Sequence, residues 1–252
     1  MTGSELPRGF RLLELGAVTS TNDVARKLAD EGEPAGLFVV ADRQTAGRGR
    51  EGRTWRSPPG NLYASLLLRP SRPLAEAASL SLVVGLALAE AVGTLSGGRV
   101  EPRLKWPNDV QVDGAKLAGI LLEGASDGRG GCLWLVVGVG VNVVSAPAGA
   151  AVAYPTTHIV ACGLADATPR SLLLALTETL RPHLDRWEAE GFAAIREAWL
   201  ERATAVDAAV ELRLGDRLVT GRMVDVDKDG ALRLRLGSGA VERFAAGEVA
   251  LA

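Results

Sequence analysis

The chain of 252 residues is 47% hydrophobic and 23% charged, with a formal net charge of -2. That length allows one large domain, or a main domain with a small appendage, at an ordinary globular composition. A protein that lived on duplex nucleic acid would usually show a basic balance, so any phosphate affinity here must be local.

Met1–Gly9 is polar and carries no secretory pattern. The first regular element opens at Thr19-Ser20-Thr21-Asn22-Asp23. Ser20 or Thr21 can cap a helix start, Asp23 suits its positive end, and Gly32 can close it. Phe38–Ala41 reads as a short buried strand, and Asn61–Leu68 as another, entered through the breaker Pro58-Pro59-Gly60. A long apolar helix is expected over about Ala77–Leu95. Ser79, Ser81, Gly85 and Glu90 interrupt it, so it reads as buried rather than membrane-spanning. Three strand-like runs follow, Arg103–Val112, Leu117–Glu123 and Leu133–Val144, with Asp113-Gly114 as a tight-hairpin signal. Leu172–Leu180 and Phe192–Leu200 have helical spacing, with Pro182 and Gly191 as expected interruptions.

The last fifty residues change character. Val210–Leu214, Arg217–Asp225, Ala231–Leu236 and Ala240–Phe244 are short strands separated by glycine-containing turns, the spacing of a small antiparallel barrel or sandwich. A boundary near Thr204 divides residues 1–204 from residues 205–252. Cys132 and Cys162 form no Cys-x-x-Cys pair, so neither a disulfide framework nor a zinc site is suggested. A reduced, cytoplasmic protein of enzyme size, with no membrane segment, is expected.

The densest signal is Gln44-Thr-Ala-Gly47-Arg48-Gly49-Arg50-Glu51-Gly52-Arg53-Thr-Trp55-Arg56, four arginines among three glycines. Flexible backbone and fixed positive charge can close around an anion, and the tryptophan can lie against a flat ring. Gly47-x-Gly49-x-x-Gly52 formally matches the dinucleotide fingerprint, but no helix start follows it, as that fingerprint requires. In Lys105-Trp106-Pro107-Asn108-Asp109 the proline leaves Asn108 and Asp109 at a bend, which alone is also an ordinary turn. Lys116 enters a buried strand beside Ala118 and Gly119; read alone, it is a surface lysine at a strand start. Gly138-Val-Gly140-Val-Asn142 leaves one strand face bare, for a ligand or for another backbone. His158 and His183 lack a partner pattern and read as structural.

In this order the motifs closely resemble those of the biotin protein ligases: Ser20-Thr21-Asn22, the arginine-glycine run from Gln44 to Trp55, Lys105–Asp109, Lys116-Leu-Ala-Gly119-Ile120, and Gly138-x-Gly140-x-Asn142. The resemblance runs from about Val18 to the C-terminus, where Asp227–Leu232 and Gly247-Glu-Val249 look like the family's small last domain. It implies an α+β fold, a mixed β-sheet with helices packed on one side, followed by a small SH3-like β-barrel. It implies ATP and biotin as substrates, Mg²⁺ on the phosphates, and a biotin carboxyl carrier domain as partner. Some members carry an N-terminal helix-turn-helix and act as repressors. The short lead before Ser20 leaves no space for one, so no DNA binding is expected; the protein is read as a monomer or a homodimer.

By the same resemblance, Ser20, Thr21, Asn22 and Gln44 bind biotin's ureido ring, with Gly47, Arg48, Gly49, Arg50, Lys116, Gly119, Gly138 and Gly140 completing that site. Arg50, Arg53, Trp55, Asn108 and Asn142 bind the nucleotide, Trp55 by stacking on adenine and Asn142 by reading its edge. Lys116, Arg48, Arg50 and Arg53 are the expected catalytic residues, and Asp109 the expected metal-associated oxygen. A loop with Gly47, Gly49 and Gly52 is expected to be mobile when empty and to order around phosphate. Three alternatives stand beside this reading. A lipoate or octanoate ligase shares the fold but needs no ureido-binding polar cluster. A non-catalytic biotinyl-adenylate binder would not need Lys116, and an RNA-binding protein fits poorly with the net acidity.

Overall fold

The computed structural model describes residues 6–148 and 154–251. Seven strands form one mixed sheet in the order β1-β2-β3-β7-β6-β5-β4: β1 Arg11–Val18, β2 Leu37–Gln44, β3 Leu62–Leu68, β4 Arg103–Lys105, β5 Asp109–Val112, β6 Ala115–Ser126 and β7 Cys132–Val141. Only β1 and β2 pair in parallel, because α1 (Thr21–Asp30) carries the chain back between them; the other neighbours are antiparallel.

Alternation along the central strands sends successive side chains to opposite faces. Phe38, Leu66, Val137 and Val139 join a core with α3 (Leu80–Leu95) and α4 (Pro169–Glu190). Val39, Leu67 and Val136 instead meet Ala25 and Ala29 of α1. The long helices thus lie on one side, as expected, and short α1 adds a patch of cover on the other. The rest of that second face is left for a cleft.

Helix α3 is apolar over most of its surface, with Ser81, Glu90 and Thr94 outside the buried part, and sits in the core. Residues Leu74–Leu95 are long and apolar enough to cross a bilayer, but 67% of their apolar window is buried within the fold, as in a core helix of a globular domain. The chain bends between α2 (Leu74–Ala77) and α3, where Ser79 donates to Glu76 O at 2.7 Å and accepts from the Trp187 indole at 2.8 Å.

Two expectations change, and two strands were not foreseen. The run Arg103–Val112 is not one strand but the hairpin β4–β5: Pro107 has no N–H for a ladder, and the chain turns at Trp106–Asn108. Pro182 does not interrupt α4. It faces solvent, where water can satisfy the carbonyl it frees, and burial of Leu184 and Trp187 carries the helix on to Glu190. Strands β1 and β12 (Glu248–Leu251) escaped the sequence pattern, because both lie at sheet edges with irregular burial. The Asp113-Gly114 hairpin forms as expected, with φ of 49° and 76°.

After α5 (Arg196–Arg202) a five-stranded antiparallel sheet makes the small SH3-like unit, in the order β11-β10-β9-β8-β12: β8 Ala209–Leu214, β9 Arg217–Val226, β10 Leu232–Arg235, β11 Val241–Phe244 and β12 Glu248–Leu251. It is tied to the β4–β5 turn by Trp106, whose indole donates to Gly230 O at 3.0 Å, and to α5 by Arg196, which pairs with Asp225. The first tie falls within the Lys105–Asp109 motif, so the small unit is seated beside the cleft.

Candidate active site

The cleft lies on the α1 face of the sheet, between the start of α1, the end of β2, the loop that follows it, and the β4–β5 turn. Its floor follows from register. Gly140 sits between Tyr63 and Gly119, and Gly138 between Ser65 and Leu121. Two glycines in line with Gly119 leave bare backbone, and neighbouring groups take the space a side chain would need. A Cβ on Gly138 would stand 2.4 Å from Asn22 Oδ1, and one on Gly140 2.6 Å from the Trp55 ring.

One end of the cleft is neutral and polar. Ser20, Thr21 and Asn22 are buried at the first turn of α1. Ser20 holds the N-cap position without a side-chain bond; Gln44 caps instead, its Oε1 accepting from Thr21 N at 2.8 Å. Gln44 Nε2 donates to Ser57 Oγ at 3.0 Å, and Ser65 Oγ lies 2.7 Å from Thr21 Oγ1 and 2.6 Å from Asn22 Oδ1. Hydroxyl and amide orientations are thereby set before any ligand arrives. Gly47 packs against this end from outside the cleft: it borders a shallow hollow on the outer side of the loop, and a Cβ there would be 2.5 Å from Trp55 O, 2.7 Å from Ser57 Oγ and 2.9 Å from Gln44 Nε2. It shapes the loop rather than lining the cleft.

The arginines divide by their partners. Arg48 makes a bidentate pair with Asp23, at 2.9 and 2.7 Å, and reaches Glu123 at 3.3 Å; the Asp23 bond above all raises its pKa. Arg53 pairs with Glu248 of β12 at 2.9 Å. Burial pulls its pKa down, and the Glu248 bond and charge outweigh that. Among the described residues Arg50 donates only to a main-chain carbonyl, Gly247 O, at 3.0 Å, and desolvation lowers its pKa. A desolvated guanidinium with no carboxylate against it is the one set to take an anion. Arg48, expected to act on phosphate, is already neutralised by two carboxylates and holds the loop in place.

Lys116 Nζ stands 2.7 Å from Asp109 Oδ1, with both side chains nearly buried, and lies 5.5 and 5.3 Å from the Trp55 and Tyr154 ring centres. The Lys116–Asp109 contact is close in distance but misaligned, so Asp109 Oδ1 keeps no hydrogen bond. Trp55 lies against Gly119 and Gly140 with its indole N–H buried and unpartnered. Asn108 lines the cleft, yet its amide donates to Ile120 O at 2.7 Å and pins the turn to β6. Asn142 is buried and donates to Thr157 O at 3.0 Å; it is not on the cleft wall. The bare glycines and Trp55 come together as the motifs suggested, while the two asparagines are engaged by main chain.

Residues 15–142 match the model of the biotin/lipoate A/B protein ligase family, and residues 208–251 that of the biotin protein ligase C-terminal domain. A biotin–[acetyl-CoA-carboxylase] ligase of Paracoccus denitrificans is 40% identical over 228 residues, 88% of this chain and 92% of that protein. This chain belongs to the biotin protein ligase family. The bifunctional ligase/repressor BirA of Escherichia coli (strain K12) is 34% identical over 218 residues, 86% of this chain and 67% of that protein. Among solved structures, the biotin protein ligase from Aquifex aeolicus in complex with biotin and ATP is similar with a TM-score of 0.81 at 30% identity, covering 96% of this chain and 98% of that one. The Leishmania major ligase in complex with biotinyl-5-AMP gives 0.66 at 30% identity, covering 94% and 99%.

For a biotin ligase cleft, several wall and support residues were not singled out from sequence: Asp23, Ser57, Ser65, Lys105, Glu123, Tyr154 and Glu248. Surplus positive charge in the loop was the available signal, since four nearby arginines demand carboxylates from somewhere. Glu248 has a pH signature. Burial raises its pKa, and Arg53 more than offsets this, leaving it below 4.5. Its contribution to stability is therefore present above pH 4.5 and lost as pH falls through the lower folded value. The gap in Tm between the parent and Glu248→Gln is expected to stay constant from about pH 8 to pH 5 and to close only below about pH 4, read by calorimetry.

Proposed function

We propose that this cleft joins biotin's carboxylate to the α-phosphate of ATP, releasing pyrophosphate, and then passes the acyl group of biotinyl-5′-AMP to a lysine of a biotin carboxyl carrier domain, releasing AMP. The observation that carries the assignment is the pairing of two unlike ends across one bare glycine floor. A neutral, pre-oriented polar cluster stands at one end, and a carboxylate-free guanidinium, Arg50, at the other.

Thr21, Asn22 and Gln44, with Ser20, suit a ureido ring, which presents N–H donors and a carbonyl acceptor. Buried groups of this kind reject acids that lack the match, because unpaired they cost about 1–3 kcal/mol each. Bringing a carboxylate onto a polyanion is the electrostatic obstacle of the first step. Arg50 and Lys116 stand where they can offset that repulsion, and fixed charge in a dry site does so without reorganising. Lys116 donates to the carboxylate and bridging oxygens. Trp55, seated on Gly140, offers its ring to adenine, and Arg53 with Glu248 brings the small unit to the nucleotide side. Residues 1–204 thus hold the chemistry, and residues 205–252 support its nucleotide end.

Among the described residues no cluster of three or more His, Cys, Asp or Glu forms a dedicated metal cage. The under-bonded Asp109 Oδ1 fits a Mg²⁺ carried in on phosphate, which needs only one or two protein carboxylates. Bound there, Mg²⁺ would supply charge neutralisation on the phosphates.

The test is mass spectrometry of a carrier domain incubated with the protein, ATP, Mg²⁺ and biotin, beside a lipoate reaction. The expected result is a gain of one biotin, abolished when the carrier's target lysine is changed. Gain with lipoate alone would overturn the substrate, and a bound adenylate without transfer would reduce the protein to a binder.

A further inference from the structure

Among the described residues Arg48 is the only loop arginine shared between two elements outside the loop. Its guanidinium bridges Asp23 on the first turn of α1 and Glu123 on β6. Glu123 holds a second partner: its Oε2 accepts from Asn22 Nδ2 at 2.8 Å. That bond fixes the Asn22 amide with Oδ1 toward Ser65. A single chain of charge-assisted bonds therefore joins the loop to the polar end of the cleft. The three side chains are only partly covered, with exposures of 34%, 27% and 27%, so they contribute little to global stability. The second half of the loop is anchored elsewhere, by Arg50 on Gly247 O and Arg53 on Glu248.

We propose that Asp23 and Glu123 form a carboxylate clamp on Arg48 that latches the Gly47–Gly49 half of the loop over the biotin end, and so set how long biotin stays bound. The proposal rests on reading that end as the biotin site. Asp23 and Glu123 are positioning residues; they act through Arg48 and Asn22. Without the clamp, Arg48 loses both anchors while the nucleotide half keeps its own. Loss of the clamp therefore acts on biotin release and leaves ATP binding in place.

The test measures biotin dissociation by rapid mixing, the KM for ATP, and Tm on the full chain, for Asp23→Asn, Glu123→Gln, Asp23→Glu and Arg26→Ala. Hydrogen bonds to charged groups are strong enough that each of the first two substitutions is expected to speed biotin release about tenfold, with KM for ATP within about twofold. Tm is expected to stay within about 4 °C of the parent. Asp23→Glu keeps a carboxylate and is expected to restore most of the parent's slow release. Arg26 reaches Asp23 at 3.3 Å without touching the loop, so Arg26→Ala is expected to release biotin at the parental rate. Parental release from both Asp23→Asn and Glu123→Gln would overturn the clamp. So would equal losses of biotin and ATP affinity with a large fall in Tm, which mark a general structural role. Calorimetry of the parent with biotin alone separates the premise from the proposal: absence of binding there would overturn the biotin-site reading itself.

Discussion

Replacing Lys116 by glutamine is expected to lower biotinyl-adenylate formation by about 10²–10³-fold, the cost of removing one preorganised charge from a dry site. The ammonium is nearly buried and flanked by Trp55 and Tyr154, so water does not readily replace it. The substitution has a second consequence, because it leaves the Asp109 carboxylate buried without its counter-charge, which can cost about 3–5 kcal/mol of stability. The double variant Lys116→Gln with Asp109→Asn, read beside Asp109→Asn alone, separates the two. It is expected to recover Tm without recovering adenylate formation, measured as pyrophosphate release in a single turnover. Recovery of the reaction along with Tm would show that Lys116 matters only as a partner for Asp109.

Gly138→Ala is expected to weaken biotin binding by about 10²-fold, the scale on which a misplacement of about 1 Å acts in a preorganised site. The new methyl group would stand 2.4 Å from Asn22 Oδ1 and 3.0 Å from its Cγ. A free side chain would swing aside at little cost. Asn22 is held by Ser65 on one side and Glu123 on the other, so moving it breaks a buried bond to the first and a charge-assisted bond to the second. The effect should appear in the dissociation constant for biotin by calorimetry, with the ATP side spared. A control is Gly124→Ala on the same β6–β7 pairing, whose methyl would meet only side chains and a carbonyl at 3.0 Å or more, away from the cleft. Equal biotin affinity in parent and Gly138→Ala would sink the view that this glycine admits Asn22.

The distribution of charge explains why four arginines in one short loop are compatible with a near-neutral protein. Arg48 and Arg53 are each matched by carboxylates, Arg50 lines the cleft with no carboxylate against it, and Arg56 borders the hollow outside the loop. A loop that was positive throughout would bind any polyanion. Neutralising two positions confines the attraction to one place, and the matched pairs become anchors for the loop.

The order of Ser20-Thr21-Asn22, the arginine-glycine run, Lys105–Asp109, Lys116 and Gly138-x-Gly140 was enough to give the family, because these are local patterns set by backbone demands within a few residues. Asp113-Gly114 made its hairpin for the same reason: two positive φ angles are a local requirement. The sequence likewise showed which residue types meet at the site. It could not show which ion pairs form. Arg48 finds Glu123 at a separation of 75 residues, and Arg53 finds Glu248 at 195. Pairing at such range depends on which strands become neighbours. Asn108 and Asn142 looked like nucleotide readers, and only the packed sheet revealed Ile120 O and Thr157 O as their partners. Pro182 looked like a stop, and burial of Leu184 and Trp187 overrode it. What the sequence determined by itself was chemistry and local geometry. Tertiary structure alone decided which charges are free, because a charge is freed or neutralised by neighbours that sequence distance does not reveal.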